Sequence, residues 1–344
     1  MSSAVDVCAG AGGLSLGLQR AGFEVLGVER DREAVLMHRA HVGPCELADV
    51  AGWHPEGRAD LVAGGVPCQP FSTQGKRQGL REAVGPLFGE TCEPRAQLFR
   101  HLVRVAVEAE ARAVLLENVR GLPSWDGGAA LAAIRAEMVA GGFVHVESKI
   151  LDAADYGTPQ HRNRIFVAGF RDAEDAADFV WPERTHGPGR ARPWVTVREA
   201  LEALGLFMGE LCDVLDRPAR TITTSTHDET PDPAQAARRF GPMLRDALEA
   251  AGLLERPSTT IAATASGRVA RPGHKGAGDQ WKGAVRLTAD MCAALQGFPA
   301  GWRWPAHVET AHRLIGNAVP PQLGEAVGGA VMLALRGELG AVGT

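Results

Sequence analysis

The chain has 344 residues, 45% of them hydrophobic and 22% charged, with a formal net charge of -5. That supplies a sizeable core, as one large domain or one large and one small. The acidic balance excludes a wholly basic nucleic-acid coat, so any nucleic-acid contact must come from a local basic surface.

The N-terminus runs straight into an apolar stretch, 4–8, without the basic start of a signal peptide. Further apolar runs at 24–29, 60–64, 113–117, 143–151 and 164–170 predict strands, and helices are predicted near 14–20, 31–40, 94–110 and 128–140. In the third helix Leu98, Leu102, Val105 and Ala109 recur at helical spacing. This alternation predicts an α/β fold with a doubly wound, mostly parallel sheet, whose ligands bind outside the carboxyl ends of the strands. No apolar run looks long enough to span a membrane.

Asp6-Val7-Cys8-Ala9-Gly10-Ala11-Gly12-Gly13-Leu14 reads as a strand, a glycine turn and a helix start. It is either a plain tight turn or a close approach of backbone to ligand. A dinucleotide would prefer Gly-x-Gly-x-x-Gly, but Ser15 stands at the third position. The acid Asp6 at the strand end suits a cationic ligand better, and S-adenosylmethionine carries an ammonium and a sulfonium. Glu29 ends the second strand, where a carboxylate can accept from both hydroxyls of a ribose. Asp49 is equally a contact for an adenine amino group or an ordinary exposed loop aspartate.

Gly64-Gly65-Val66-Pro67-Cys68-Gln69-Pro70-Phe71-Ser72 follows the third apolar run. Pro67 and Pro70 stiffen the loop, so Cys68 is held as a nucleophilic thiol must be. Otherwise it is a small buried turn cysteine. The six cysteines are scattered, without a Cys-x-x-Cys pair, so neither structural zinc nor a disulfide framework is indicated, and a reducing cytosol fits. Residues 73–93, rich in Gly, Gln and charge, are a lid over the site or a disordered insertion.

Ala113 to Val119 predicts a buried strand carrying Glu117, either a salt-bridged structural acid or a proton donor of raised pKa. Alternation places Gln160, Arg162 and Arg164 on one face of a strand start, facing oxygen acceptors or forming a solvated basic edge. From about residue 184 the alternation stops. Two segments echo each other, 216–223 and 255–262, as candidate paired β-elements. Ser266 to Arg286 is glycine-rich and cationic, with Arg268, Arg271 and Lys275, and suits phosphate contact more than plain solvation. Helical periodicity returns after Leu287, and Leu323, Val327, Ala330, Val331 and Ala334 form an apolar stripe on a last helix.

Taken in order, the glycine turn, Pro67-Cys68-Gln69, Glu117-Asn118-Val119, Gln160-x-Arg162-x-Arg164, Leu295-Gln296-Gly297-Phe298-Pro299 and Gly316-Asn317-Ala318-Val319-Pro320-Pro321 resemble the cytosine-5 DNA methyltransferases of prokaryotic or phage type. The resemblance covers nearly the whole chain. It implies a Rossmann-like methyltransferase domain over 1–183 plus 308–344, and an irregular, β-rich target-recognition domain with its hinge over 184–307. It implies catalytic roles for Cys68, Glu117, Arg162 and Arg164. Cofactor contacts would come from Asp6, Cys8, Ala9, Gly10, Gly12, Gly13, Leu14, Glu29, Arg30, Asp49, Val50, Pro67, Leu98, Asn317 and Ala318. DNA contacts would come from Gln69, Ser72, Gln74, Lys76, Arg77, Arg268, Arg271 and Lys275. Cys8 stands where the family commonly has an aromatic, and Ala48 where it commonly has glycine.

The implied partners are S-adenosylmethionine, leaving S-adenosylhomocysteine as product, and double-stranded DNA, with a cognate restriction endonuclease as a candidate. No metal is expected, and a monomer in the cytosol is. The rivals are a nicotinamide-dependent dehydrogenase, a module that binds DNA without catalysis, and an RNA-directed member of the same family.

Overall fold

The computed structural model describes residues 2–66, 97–204, 258–259 and 288–338. It divides into two units: one of 1–156, 162–185 and 318–344, the other of 157–161 and 186–317.

The first unit is built on a seven-stranded sheet: β1 (Ser3–Val7), β2 (Glu24–Glu29), β3 (Cys45–Leu47), β4 (Leu61–Gly64), β5 (Ala113–Val119), β6 (His145–Asp152) and β8 (Asn163–Phe170). The order is β3-β2-β1-β4-β5-β8-β6. Strands β3 to β5 pair in parallel, and β8 runs antiparallel between β5 and β6. The order reverses between β1 and β4, which is where such sheets open a ligand crevice.

Alternation along the strands sends apolar residues to both faces. Val5, Val7, Val62, Val114 and Leu116 join one core with helices α3 (Leu98–Glu108) and α4 (Ala129–Ala140). Ala4, Leu61, Ala63, Leu115 and Phe166 join the other, with α1 (Gly13–Arg20) and the last helix of the chain, α9 (Pro321–Leu335). The stripe Leu323, Val327, Ala330, Val331 and Ala334 is buried there, each large side chain contributing about 1.5–3 kcal/mol. A Cβ at Gly17 would lie 2.5 Å from the main-chain nitrogen of Glu325, so α1 and α9 approach backbone to backbone.

Helix α2 (Arg32–His41) starts where Asp31 accepts from the main chain of Glu33 and Ala34. Helix α5 (Ala173–Asp178) follows β8. In the second unit α6 (Val197–Glu202) opens on a reciprocal capping box between Thr196 and Glu199, a Thr-x-x-Glu spacing legible in the sequence. That helix and α5 lie outside the predicted elements, as does the three-residue strand β3. Helices α7 (Ala289–Leu295) and α8 (Val308–Asn317) belong to the second unit, with the short parallel pair β7 (Gln160–His161) and β9 (Ser258–Thr259). The echo segment 216–223 lies outside the described residues.

One expectation needs qualification. The stretch Val308–Leu335 is long and apolar enough to cross a membrane by composition, but 72% of its apolar window is buried. It is also broken into α8 and α9 at Ala318-Val319-Pro320, where no regular helix continues.

Candidate active site

The chain leaves β1 through the glycine turn with φ of 56° at Cys8, 55° at Gly10 and 90° at Gly12. A Cβ at Gly12 would lie 2.6 Å from Val42 and 3.1 Å from the His38 ring, so this glycine answers to packing against the end of α2. A Cβ at Gly10 would meet nothing within 4 Å, so that side of the turn is open to a ligand. Gly13 and Leu14 are buried as α1 begins. Ala9 donates its main-chain N–H to Val28 at 3.2 Å. Burial pushes the Cys8 thiol far up, helped by the negative charge of Glu29 and Asp6, so it is no thiolate.

Glu29, at the end of β2, is fixed by three main-chain donors. Oε2 accepts from Gly10 at 3.0 Å, and Oε1 accepts from Arg30 and Asp31 at 2.8 Å each. A carboxylate has about four lone-pair sites, so capacity for a ribose remains. Asp49 accepts from Ala51 N at 3.0 Å and lies 3.6 Å from the Arg30 guanidinium, both side chains half exposed. Val50 is buried just beyond, and Leu98 is buried at the start of α3.

Asp6 has no solvent exposure. Its Oδ2 accepts from Ser15 Oγ at 2.5 Å, and His38 Nε2 lies 2.9 Å from the same hydroxyl. Its Oδ1 is buried without a hydrogen-bond partner. Burial raises its pKa from 3.8 to about 7; Ser15 opposes the rise, and Glu29 and Glu117 add to it. Sequence reasoning found Asp6 but missed Ser15 and His38, since nothing in their spacing says that α1 and α2 meet over this carboxylate.

Glu117 sits near the end of β5, 7% exposed. Arg164 Nε reaches its Oε1 at 2.9 Å, and the Arg164 side chain is itself 12% exposed. Burial pushes the Glu117 pKa up, with Arg164 and then Arg162 pulling against it. A Cβ at Gly65 would come within 3.2 Å of Glu117 Oε2. Asn118 Nδ2 donates to Val66 O at 3.4 Å. Glu117 and Asn118 therefore lie against the backbone that leads out of β4, two residues before Cys68.

Arg162 is 2% exposed; its N–H donates to Asp152 Oδ1 at 2.8 Å and its carbonyl accepts from Ala153 at 3.1 Å. The expected common strand face is broken there: Gln160 belongs to β7 and Arg164 to β8. Neither arginine lies on a solvated edge. Gln160, fully buried in the second unit, donates to Gln296 Oε1 at 3.1 Å and joins two of the sequence motifs. Asn317 is exposed at the end of α8, and Ala318 is buried at the start of the last segment of the first unit.

Pro67, Cys68, Gln69, Ser72, Gln74, Lys76, Arg77, Arg268, Arg271 and Lys275 lie outside the described residues, as does the candidate lid at 73–93. Among the described residues no group of three His, Cys, Asp or Glu is placed to hold a metal ion.

A strand order of 3-2-1-4-5-8-6 with acids at the glycine turn defines a Rossmann-like methyltransferase fold. Solved structures share it: the Schizosaccharomyces pombe Dnmt2 methyltransferase superposes with a TM-score of 0.58 at 16% identity, covering 98% of this chain and 99% of that one. The Entamoeba histolytica methyltransferase EhMeth does so with a TM-score of 0.59 at 12% identity over 97% and 98%. Residues 2–332 match the C-5 cytosine-specific DNA methylase family. The type II methyltransferase M.NgoMIV of Neisseria gonorrhoeae is 31% identical over 98% of this chain and 99% of its own length. M.PspPI of Psychrobacter sp. (strain TA137) is 31% identical over 96% and 79%. The chain belongs to the C-5 cytosine-specific DNA methylase family and is a DNA cytosine-5 methyltransferase.

Proposed function

We propose that the first unit binds S-adenosylmethionine at the ends of β1 and β2 and methylates a cytosine flipped out of duplex DNA through a covalent bond to Cys68. The observation that carries this reading is the buried Glu117–Arg164 pair, set against the backbone that leads into the Cys68 loop.

The residues at the glycine turn fit the cofactor. The buried Asp6 Oδ1, without a partner, suits an ammonium. Glu29 is held in place for a ribose, the open side of Gly10 lets a ligand approach, and Asp49 and Val50 border the same end of the sheet. Acids in this number oppose a pyrophosphate, which disfavours a dinucleotide. S-adenosylmethionine supplies an electrophilic methyl group.

A stacked cytosine exposes neither face of its ring, so the base must leave the helix. Cys68 thiolate attacks carbon 6, forming a carbon–sulfur bond. Glu117, whose carboxyl burial pushes toward the protonated form against the pull of Arg164, protonates or hydrogen-bonds ring nitrogen 3, so the electron pair displaced by the thiolate is accommodated. Arg164, with Arg162 nearby, holds the base carbonyl at position 2. Carbon 5 takes the methyl group. Loss of the carbon 5 proton then restores the 5–6 double bond and expels Cys68 as thiolate.

The type II methyltransferases among the relatives support a role in restriction–modification. The chain would then protect a sequence in cytosolic DNA from a cognate endonuclease and act as a monomer. The test is duplex DNA carrying 5-fluorocytosine, whose fluorine cannot leave as a proton does. A denaturant-stable adduct is expected with the parent chain and none with Cys68→Ala. An adduct with Cys68→Ala would assign the nucleophile elsewhere.

A further inference from the structure

Asp6, Ser15, His38 and the carbonyl of Gly43 form a hydrogen-bonded line, with separations of 2.5 Å, 2.9 Å and, from His38 Nδ1 to Gly43 O, 3.3 Å. Asp6 and Ser15 are fully buried, and so is His38. Water cannot supply missing hydrogens to such a line, so its protons can be counted. The carbonyl of Gly43 only accepts, so Nδ1 carries a hydrogen. Each of the other two links needs one hydrogen as well. The Ser15 hydroxyl provides one, for either Asp6 or His38, and not both. A further proton must reside on Asp6 or on His38 Nε2. Either way the line as a whole is neutral, which is what a site without solvent requires.

The packing is built around this line. A Cβ at Gly27 would lie 2.7 Å from His38 Nε2 and 3.0 Å from Cys45 Sγ, and one at Gly12 would press on the same ring. Two glycines thus make room for an imidazole that no step of the methyl transfer uses. The hydrogen bond between Ser15 and Asp6 engages Oδ2 and leaves Oδ1 buried and unpartnered.

We infer that Ser15 and His38 are positioning residues for the cofactor's amino group: the line holds one proton in the free enzyme, and the ligand's ammonium at Asp6 Oδ1 displaces it to solvent, after which Ser15 donates to the Asp6 carboxylate and the Ser15–His38 contact gives up its hydrogen. The inference rests on the proposed placement of the cofactor at Asp6. Charge balances, because one proton leaves as one ammonium enters. Burial lifts Asp6 to about 7 and lowers His38, in keeping with a proton held nearer the carboxyl end. Facing the line are Glu29 at the end of β2 and Glu117 on β5, both raising Asp6. Cys45 on β3 and Cys8 in the turn stay thiols, both pushed up mainly by burial. Arg39 on α2 turns its guanidinium to the carbonyl of Cys45 at 2.7 Å.

Calorimetric titration of the full chain with S-adenosylhomocysteine, in two buffers of different ionisation heat, counts the protons. At about pH 6 the parent is expected to release close to one proton per site. Its affinity should weaken by about tenfold per pH unit below about pH 7. His38→Gln offers Ser15 an amide hydrogen and no titratable proton. It should release fewer protons and show a flatter pH profile, with affinity near the alkaline limit of the parent. Ser15→Ala, which deprives Asp6 of its donor, should move the midpoint of the pH profile upward, and it stands as the second variant should His38→Gln fail to fold. Parental binding without proton release, His38→Gln with parental release, or Ser15→Ala with an unmoved midpoint would each overturn the inference. Asp6→Asn separates the two levels. If it binds the ligand as tightly as the parent, the placement of the cofactor at Asp6 is wrong. If it loses affinity while the parent releases no proton, only the proton-holding line is.

Discussion

Glu117 and Arg164 meet diagonally across the antiparallel pair β5–β8. Glu117 stands opposite Phe166 and Arg164 opposite Val119, two residues along, yet the arginine's length brings its Nε to 2.9 Å from the carboxylate. The pair is buried, so each partner depends on the other. Glu117→Ala, which strands a buried guanidinium, should cost about 3–5 kcal/mol of stability in urea unfolding. Glu117→Gln keeps the shape and most of the stability. It should lower methyl transfer by about 10²–10⁴-fold while DNA still binds. Turnover at the parental rate in Glu117→Gln would remove proton donation from this position.

Asp6 couples stability to pH. Burial raises it from 3.8 to about 7, so the folded chain keeps a proton that the unfolded chain releases across that window. Its contribution to stability is therefore full at acid pH and is lost as pH rises toward 7. Asp6→Asn cannot titrate. Relative to the parent it should gain stability with rising pH, by up to about 1.4 kcal/mol per unit within the window. Urea midpoints of both chains without cofactor, at about pH 5 and about pH 8, check this. An equal displacement at both pH values would contradict it.

Glu29 gathers the main-chain N–H groups of Gly10, Arg30 and Asp31. Glu29→Ala should weaken S-adenosylmethionine binding by about 1.5–3 kcal/mol, the worth of a hydrogen bond to a charged group. It should also loosen the glycine turn, visible as faster hydrogen exchange at Gly10. Unchanged cofactor affinity would place Glu29 in the scaffold alone.

Arg268, Arg271 and Lys275 lie in a glycine-rich, cationic stretch of an otherwise acidic chain. Neutralising all three should weaken duplex DNA binding. The slope of log affinity against log salt should fall by about 1 for every phosphate that is no longer neutralised. Cofactor affinity should stay as it was. A triple variant with the parent's affinity and salt slope would make this stretch a solvated loop.

The sequence by itself determined the doubly wound class, because strands buried on both faces and helices buried on one leave different apolar periods. It also singled out Asp6, Glu29 and Glu117, since an acid at the end of an apolar run stands out against its neighbours. The short strand β3 escaped because three residues carry no period. The helix α6 carries the capping pair Thr196 and Glu199, but its six residues are too few to show a helical period. Tertiary structure alone decided what the acids touch. Ser15 and His38 reach Asp6 from two different helices, and Gln160 finds Gln296 across 136 residues of chain. Arg164 reaches Glu117 only because β8 runs antiparallel beside β5. Periodicity reports which residues are buried. The hydrogen-bond partner of a buried polar group is set by strand order, direction and helix placement, and these bring together residues whose separation along the chain carries no signal.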